Sequence, residues 1–316
     1  MHYRRFGRTE LQMPVFSCGG MRYQHSWKDV PQWMIPAKNQ ENLDATIHRA
    51  VELGINHIET ARGYGTSEIQ LGKVLPTFER DRIIVQTKVT PRENPKEFLA
   101  TFEKSLKNLQ LDHVDLLGIH GINTHELLDW TLRPGGRIDI DRELQRQGRV
   151  RYVGFSTHGP TDVIVDTINT GQFDYVNLHW YYIFQNNWPA IAAAQHHDVG
   201  VFIISPSDKG GHLYAPPPKL VDLCTPLSPM VFNDLFCLSY SQVHTLSLGA
   251  AKPSDFDEHM KVLPLLEQTD EVLPPILARL EQTAIAALGE TWYKTWDVGL
   301  PRPAATPGNL NIPIML

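Results

Sequence analysis

The sequence predicts a parallel (β/α)8 barrel of the TIM type, with an N-terminal hairpin before it and a helical, Pro-rich extension after it. Eight short apolar runs rich in β-branched residues recur along the chain, at 13–20, 56–61, 83–88, 114–120, 150–156, 175–180, 200–206 and 245–250. Segments with helical spacing of apolar residues separate most of them, so strand and helix alternate. The runs are apolar on both faces, as strands of an all-parallel sheet covered by helices must be. A doubly wound sheet would need a phosphate-binding GxGxxG after its first strand, and "CGGMRYQ" does not supply one.

The elements follow in order. "MHYRRFGRTELQMP" reads as a hairpin turning at Gly7-Arg8, placed to plug the bottom of the barrel. "QENLDATIHRAVELG" (40–54) carries Leu43, Ile47, Ala50 and Val51 on one helical face, and Gly54 supplies its stop. Residues 1–265 form the barrel unit. The remainder, 266–316, is an extension: "VLPPILARLEQTAIAALGE" is helix-like, and "GLPRPAATPGNLNIPIML" is rich in Pro and ends on apolar residues. Such an ending calls for a surface to cover it, and a continuation of the natural chain beyond Leu316 is the expectation.

Composition narrows the partners. Hydrophobic content of 42%, charged content of 20% and a net charge of -6 lack the basic excess that nucleic-acid binding requires. The N-terminus has no apolar leader and no stretch approaches the ~18 apolar residues of a membrane span, so a cytoplasmic protein with no membrane partner is expected. Cys18, Cys224 and Cys237 have no paired spacing, and they read as small buried hydrophobes rather than as disulfide or metal ligands.

In such barrels chemistry gathers at the C-terminal ends of the strands. Those ends hold Gly20-Met21, Glu59 with Tyr64, Lys88, His120, Ser156-Thr157, Asn177 with His179, Ser205, and Gly249. An ammonium at Lys88 would lower the pKa of the Tyr64 phenol and make it a better acid. Glu59 would hold that ammonium, and His120 would orient a carbonyl oxygen or relay a proton. Each residue alone has an ordinary explanation, such as a rim tyrosine or a capping histidine. An inward lysine at a strand end is costly unless paired, which favours the group acting together. Backbone amides around Gly210-Gly211 suit a pyrophosphate.

"HIETARGYGTSE", "IIVQTK", "DHVDLLGIH", "RYVGFSTHG" and "VFIISPSDKGG", in this order, resemble the aldo/keto reductases over residues 1–265. "HGPTDVI" and "FIISPSDKGG" look most like the branch with a ferredoxin-like C-terminal segment, whose cysteine motifs are absent here. The resemblance implies an NAD(P)H-dependent enzyme reducing aldehydes and ketones to alcohols, with Glu59, Tyr64, Lys88 and His120 as catalytic tetrad and Tyr64 as general acid. It implies NADP(H) ahead of NAD(H), a small carbonyl substrate, and no metal. The implied cofactor residues are Gly20, Met21, Ser156, Thr157, Asn177, Ser205, Pro206, Ser207, Lys209, Gly210, Gly211, Leu213, Gly249, Lys252, Asp255, Glu258 and His259. Several positions depart from the family pattern. Glu59 replaces an Asp, Leu178 a nicotinamide-holding Gln, and Ile204 a stacking aromatic. After strand eight, Ala251, Asp255 and His259 stand where a hydroxyl, a Gln or Arg, and an Asn are frequent. Two other classes stay open: a nucleotide-binding sensor or subunit with little turnover, and a metal-dependent hydrolase built on His57, Glu59, Lys88, His120 and His179.

Overall fold

The computed structural model describes residues 1–207, 211–306 and 311–315. Strands β1 (Tyr3–Arg5) and β2 (Gln12–Pro14) pair antiparallel around a 3-10 turn at Gly7–Thr9. Eight parallel strands then close a barrel: β3 (Phe16–Gly19), β4 (His57–Glu59), β5 (Ile84–Val89), β6 (Val114–His120), β7 (Val150–Ser156), β8 (Tyr175–Leu178), β9 (Gly200–Ile203) and β10 (Thr245–Leu248). Helices α1 (Ala37–Glu52), α2 (Ser67–Val74), α3 (Pro95–Leu109), α4 (His125–Leu132), α5 (Arg137–Arg146), α6 (Thr161–Asn169) and α7 (Trp188–His196) fill the connections as far as β9. After β9 come α8 (Pro218–Cys224) and α9 (Pro229–Leu238), and after β10 come α10 (Phe256–Met260), α11 (Thr269–Leu288), α12 (Glu290–Thr295) and α13 (Ile312–Met315).

The first strand is shorter than the apolar run that predicts it. Met13 and Pro14 belong to the hairpin, and the barrel strand starts at Phe16. The first helix begins at Ala37 rather than residue 40, and Gly54 at φ +84 follows its end. Pro36 explains the earlier start, since proline tolerates the N-terminal edge of a helix.

Alternation along the strands sorts the core into two parts. Outward residues such as Val85, Leu117, Val153, Val176 and Ile203 pack beneath the helices in one large cluster. Inward at the bottom, Ile84, Leu116, Tyr175 and Phe202 meet Phe6 and Met13 of the hairpin, which therefore plugs the barrel. Gly7 makes that plug possible. At φ +52 it takes a left-handed backbone, and a Cβ there would stand 2.5 Å from the Gly200 nitrogen. We expect Gly7→Ala to cost at least the ~1–2 kcal/mol of a left-handed non-glycine residue. A urea midpoint equal to the parent's would contradict this.

The extension lies on the barrel. Leu273, Ile276 and Leu280 of α11 are buried in the same cluster as the barrel core. Arg279 donates to the Leu223 carbonyl at 2.8 Å. Further on, Asn311 donates to the Gly159 carbonyl at 3.0 Å, at the rim loop after β7. Ile314 is buried against the barrel core. Among the described residues no helix is long and apolar enough to cross a membrane.

Candidate active site

The inward positions turn polar towards the C-terminal ends of the strands. His57, Glu59, Gln86, Lys88, Asn177 and Ser17 are buried inside the barrel above the apolar plug. His57 Nδ1 lies 2.6 Å from Ser17 Oγ, which in turn lies 2.7 Å from Thr245 Oγ1. Burial, and then the Lys88 cation, pull the His57 pKa down to about 3, so it stays neutral.

Above this layer Glu59 and Lys88 form an ion pair through Oε1 and Nζ. Lys88 also donates to the Thr60 carbonyl at 2.9 Å, and Ser247 donates to Glu59 Oε2 at 3.4 Å. The longer glutamate therefore reaches the lysine. Gly118 faces Lys88 in register on β6. A Cβ there would come within 2.7 Å of Lys88 Cγ, so the glycine leaves space for the lysine stem. Burial pulls the Lys88 pKa down, and the adjacent carboxylate opposes that pull.

Tyr64, in the loop after β4, and His120, at the end of β6, complete the group. Their rings meet edge to face with centroids 5.6 Å apart, and Lys88 Nζ lies 4.9 Å from the Tyr64 centroid. Burial, and then Lys88, hold His120 at about 3, which makes it a neutral imidazole. Burial pushes the Tyr64 phenol above its usual value of 10.0. The sequence argument expected Lys88 to lower that value. The ammonium faces the Tyr64 ring and spends its charge on Glu59, so desolvation governs the phenol.

These four residues line a cleft of about 670 Å³. Met21, Ser156, Ser205, Ser207, Gly211 and Gly249 of the expected cofactor set line it too. Ser205 and Gly211 adopt left-handed backbones, at φ +56 and φ +78. Between them, Lys209 and Gly210 lie outside the described residues.

Other expected residues stand elsewhere. Gly20 packs so closely that a Cβ would lie 2.8 Å from both the Glu59 carbonyl and Ser67 Oγ. Thr157 donates to the Ile122 carbonyl at 2.8 Å, and the Pro206 carbonyl accepts from Asn233 at 2.7 Å. The Leu213 N–H closes its loop onto the Ser207 carbonyl at 3.1 Å. Glu258 accepts from Ser228 and Lys261, each at 2.6 Å. His259 is fully buried between Asp234, at 2.5 Å, and the Tyr214 hydroxyl, at 3.1 Å, so it props the cleft wall from behind. Lys252 is exposed in the loop after β10. Asp255 accepts from the Ala251 N–H at 2.8 Å and lies 3.9 Å from Arg22, so its charge is turned to its own loop.

Leu178 faces the helix layer, and the neighbouring Asn177 points into the barrel. Neither side-chain atom of Asn177 has a hydrogen-bond partner among the described residues. The inward amide of β8 is therefore Asn177, one position before the residue that motif alignment selects.

Sequence reasoning missed Gly19, Arg22, Trp27, His158, Tyr214 and Ser247, all of which line the cleft. Gly19 and Ser247 could have been found, since each sits two residues from another inward position. Arg22, Trp27 and Tyr214 belong to loops without periodicity. The Arg22 guanidinium donates to the Gly249 carbonyl at 2.7 Å and lies 4.7 Å from the Tyr214 ring centroid. Arg22, Ser205 and Ser207, with the left-handed backbone at Gly211, form a donor set suited to an anion. Among the described residues no three His, Cys, Asp or Glu side chains are grouped to hold a metal ion.

Comparison with known proteins gives the lineage. The aldo/keto reductase family model matches residues 17–213. L-Glyceraldehyde 3-phosphate reductase of Escherichia coli O157:H7 is 25% identical over 66% of this chain and 62% of its own length. L-Galactose dehydrogenase of Arabidopsis thaliana is 30% identical over 45% of this chain and 47% of its own. The chain thus spans about half to three-fifths of these curated relatives. Among solved structures, the holo form of an aldo-keto reductase from Bacillus halodurans superposes with a TM-score of 0.73 at 22% identity, over 88% of this chain and 96% of that one. An aldo-keto reductase from Klebsiella pneumoniae in complex with NADPH gives 0.67 at 17% identity, over 86% and 95%. With more than half of its length matched by the family model and its barrel shared with solved members, the chain belongs to the aldo/keto reductase family.

Proposed function

We propose that the cleft is the active site of an NAD(P)H-dependent carbonyl reductase, with Tyr64 as the acid that protonates the substrate oxygen. The observation that carries this reading is the buried Lys88–Glu59 ion pair set beside Tyr64 and a neutral His120 at the closed end of the cleft. A bound nicotinamide supplies the hydride. Tyr64 holds its proton until negative charge develops on the carbonyl oxygen and then gives it up to that oxygen. A neutral imidazole has one N–H to donate, so His120 orients the same oxygen without competing for the proton. Glu59 keeps Lys88 in place, and the barrel walls keep water from the ion pair.

The diphosphate is assigned to Arg22 and the segment from Ser205 to Leu213, and the adenosine to the loop after β10. NADP(H) is preferred to NAD(H), and the NADPH held by the Klebsiella relative supports that choice. Lys252, exposed after β10, is assigned to the extra phosphate, so Lys252→Ala should weaken NADPH several-fold more than NADH in a fluorescence titration. Equal weakening of both would remove Lys252 from the site. The reading as a whole is tested by titrating both cofactors and then following reduction of a reactive aromatic aldehyde. Binding without turnover would favour a nucleotide-binding module, and absence of binding would overturn the reductase reading.

A further inference from the structure

Arg137 is 1% exposed and opens helix α5. A cation there opposes the helix dipole, and burial costs it further, drawing its pKa down to about 10. Its partner Asp141, one turn on, is equally buried and pushed up to about 6. A pair held at such cost is not explained by its own attraction, because well-packed apolar side chains commonly serve stability as well or better. The contacts of the guanidinium point to another role.

Nη1 donates to the Val89 carbonyl at 2.5 Å, and Nη2 reaches the Gly118 carbonyl at 3.4 Å. Nε is held by Asp141 at 3.2 Å, and the guanidinium plane lies 3.5 Å from the Phe98 ring centroid on α3. Val89 follows Lys88 on β5, Gly118 stands opposite Lys88 in register, and His120 is two residues beyond Gly118. One planar cation behind the barrel wall thus joins the ends of the two strands that carry Lys88 and His120 into the cleft. Asp141 and Phe98 fix that cation from below.

We propose that Arg137 is a positioning residue for the reaction: by clamping the Val89 and Gly118 carbonyls it sets the spacing between Lys88 and His120. Arginine suits this because its rigid fork reaches two acceptors at once, whereas lysine would reach one. The ladder between the two strands ends at the Val89–Ile119 pair, so without the clamp the segment that carries His120 loses a cross-strand tie and shifts by fractions of an ångström. Misplacement of that order around reacting groups lowers turnover more than it lowers binding.

The inference rests on the reductase reading, and its test is chosen to separate the two. Arg137→Met and Arg137→Lys are compared with the parent for kcat, KM, NADPH affinity and thermal midpoint. The control is Arg149→Met, since Arg149 pairs with Glu103 on the same α3 and touches neither carbonyl. We expect kcat in Arg137→Met to fall ten- to a hundredfold with NADPH affinity within twofold of the parent. Arg137→Lys should recover part of that loss, and the control should keep its kcat. A folded Arg137→Met with parental kcat, or a lowered midpoint with no change in kcat, would overturn the proposal. If the Met variant does not fold, the kcat of Arg137→Lys decides, and a parental value overturns it. A parent without turnover would fail the reductase reading instead. The imidazole NMR signals of His120, assigned with His120→Gln, then carry the test: they should shift in Arg137→Met, and unchanged signals would overturn the clamp.

Discussion

Tyr64→Phe should retain cofactor binding within about twofold while lowering turnover by the ~10²–10⁴-fold typical of losing a general acid. The ring remains, so its edge-to-face packing on His120 and its place beside Lys88 are preserved. Only the proton is lost. Because burial raises the phenol, it is protonated throughout the range below its usual 10.0, and the parent's reduction rate should show no loss from tyrosine ionisation below that pH. A purified Tyr64→Phe protein that reduces a reactive aldehyde as fast as the parent at saturating cofactor would end the assignment.

The barrel was legible because eight two-sidedly apolar runs can only be buried by helices on one side and a packed interior on the other. The four residues proposed for chemistry were legible for a related reason. An inward Lys88 and Glu59 on neighbouring strands have no inexpensive explanation other than each other, and the structure pairs them. The cofactor wall was less so. His259 is a polar residue in the right segment after β10, yet from helix α10 it meets Asp234, a residue 25 positions earlier that no local pattern connects to it. Leu178 and Asn177 differ by one position, and in a strand one position is the difference between the two faces. Asp115 also shows what spacing hides, since it gathers Arg80 from the turn before β5 and Arg151 from β7 at 2.7 and 2.8 Å. Loop residues such as Arg22 and Tyr214 are positioned by each other rather than by the strands, so periodicity carries no information about them.

The largest effect on stability should come from Lys88→Met. Removing one partner of a buried ion pair leaves the other charge without compensation, which costs about 3–5 kcal/mol. Among the described residues, Ser247 at 3.4 Å is the hydrogen-bond donor left to Glu59. It should therefore take up a proton when Lys88 is gone, its pKa rising with burial. The sign of the pH dependence follows. A carboxylate whose folded pKa is raised binds more protons folded than unfolded across the gap between the two values, so stability falls as pH rises through that window. The variant should be weakest relative to the parent at neutral pH and recover towards pH of about 5, nearer the ~4.3 of an unperturbed glutamate. Adding Glu59→Gln removes the stranded charge, and the double variant should regain most of the lost stability while remaining inactive, a coupling that single substitutions cannot show. Glu59→Asp on the parent probes the same pair from the other side. The glutamate already reaches Lys88, so shortening it should leave turnover unchanged or lower it. Urea midpoints across this pH range decide the matter: a Lys88→Met deficit independent of pH, or a double variant no more stable than the single one, would mean that the ion pair does not govern this end of the barrel.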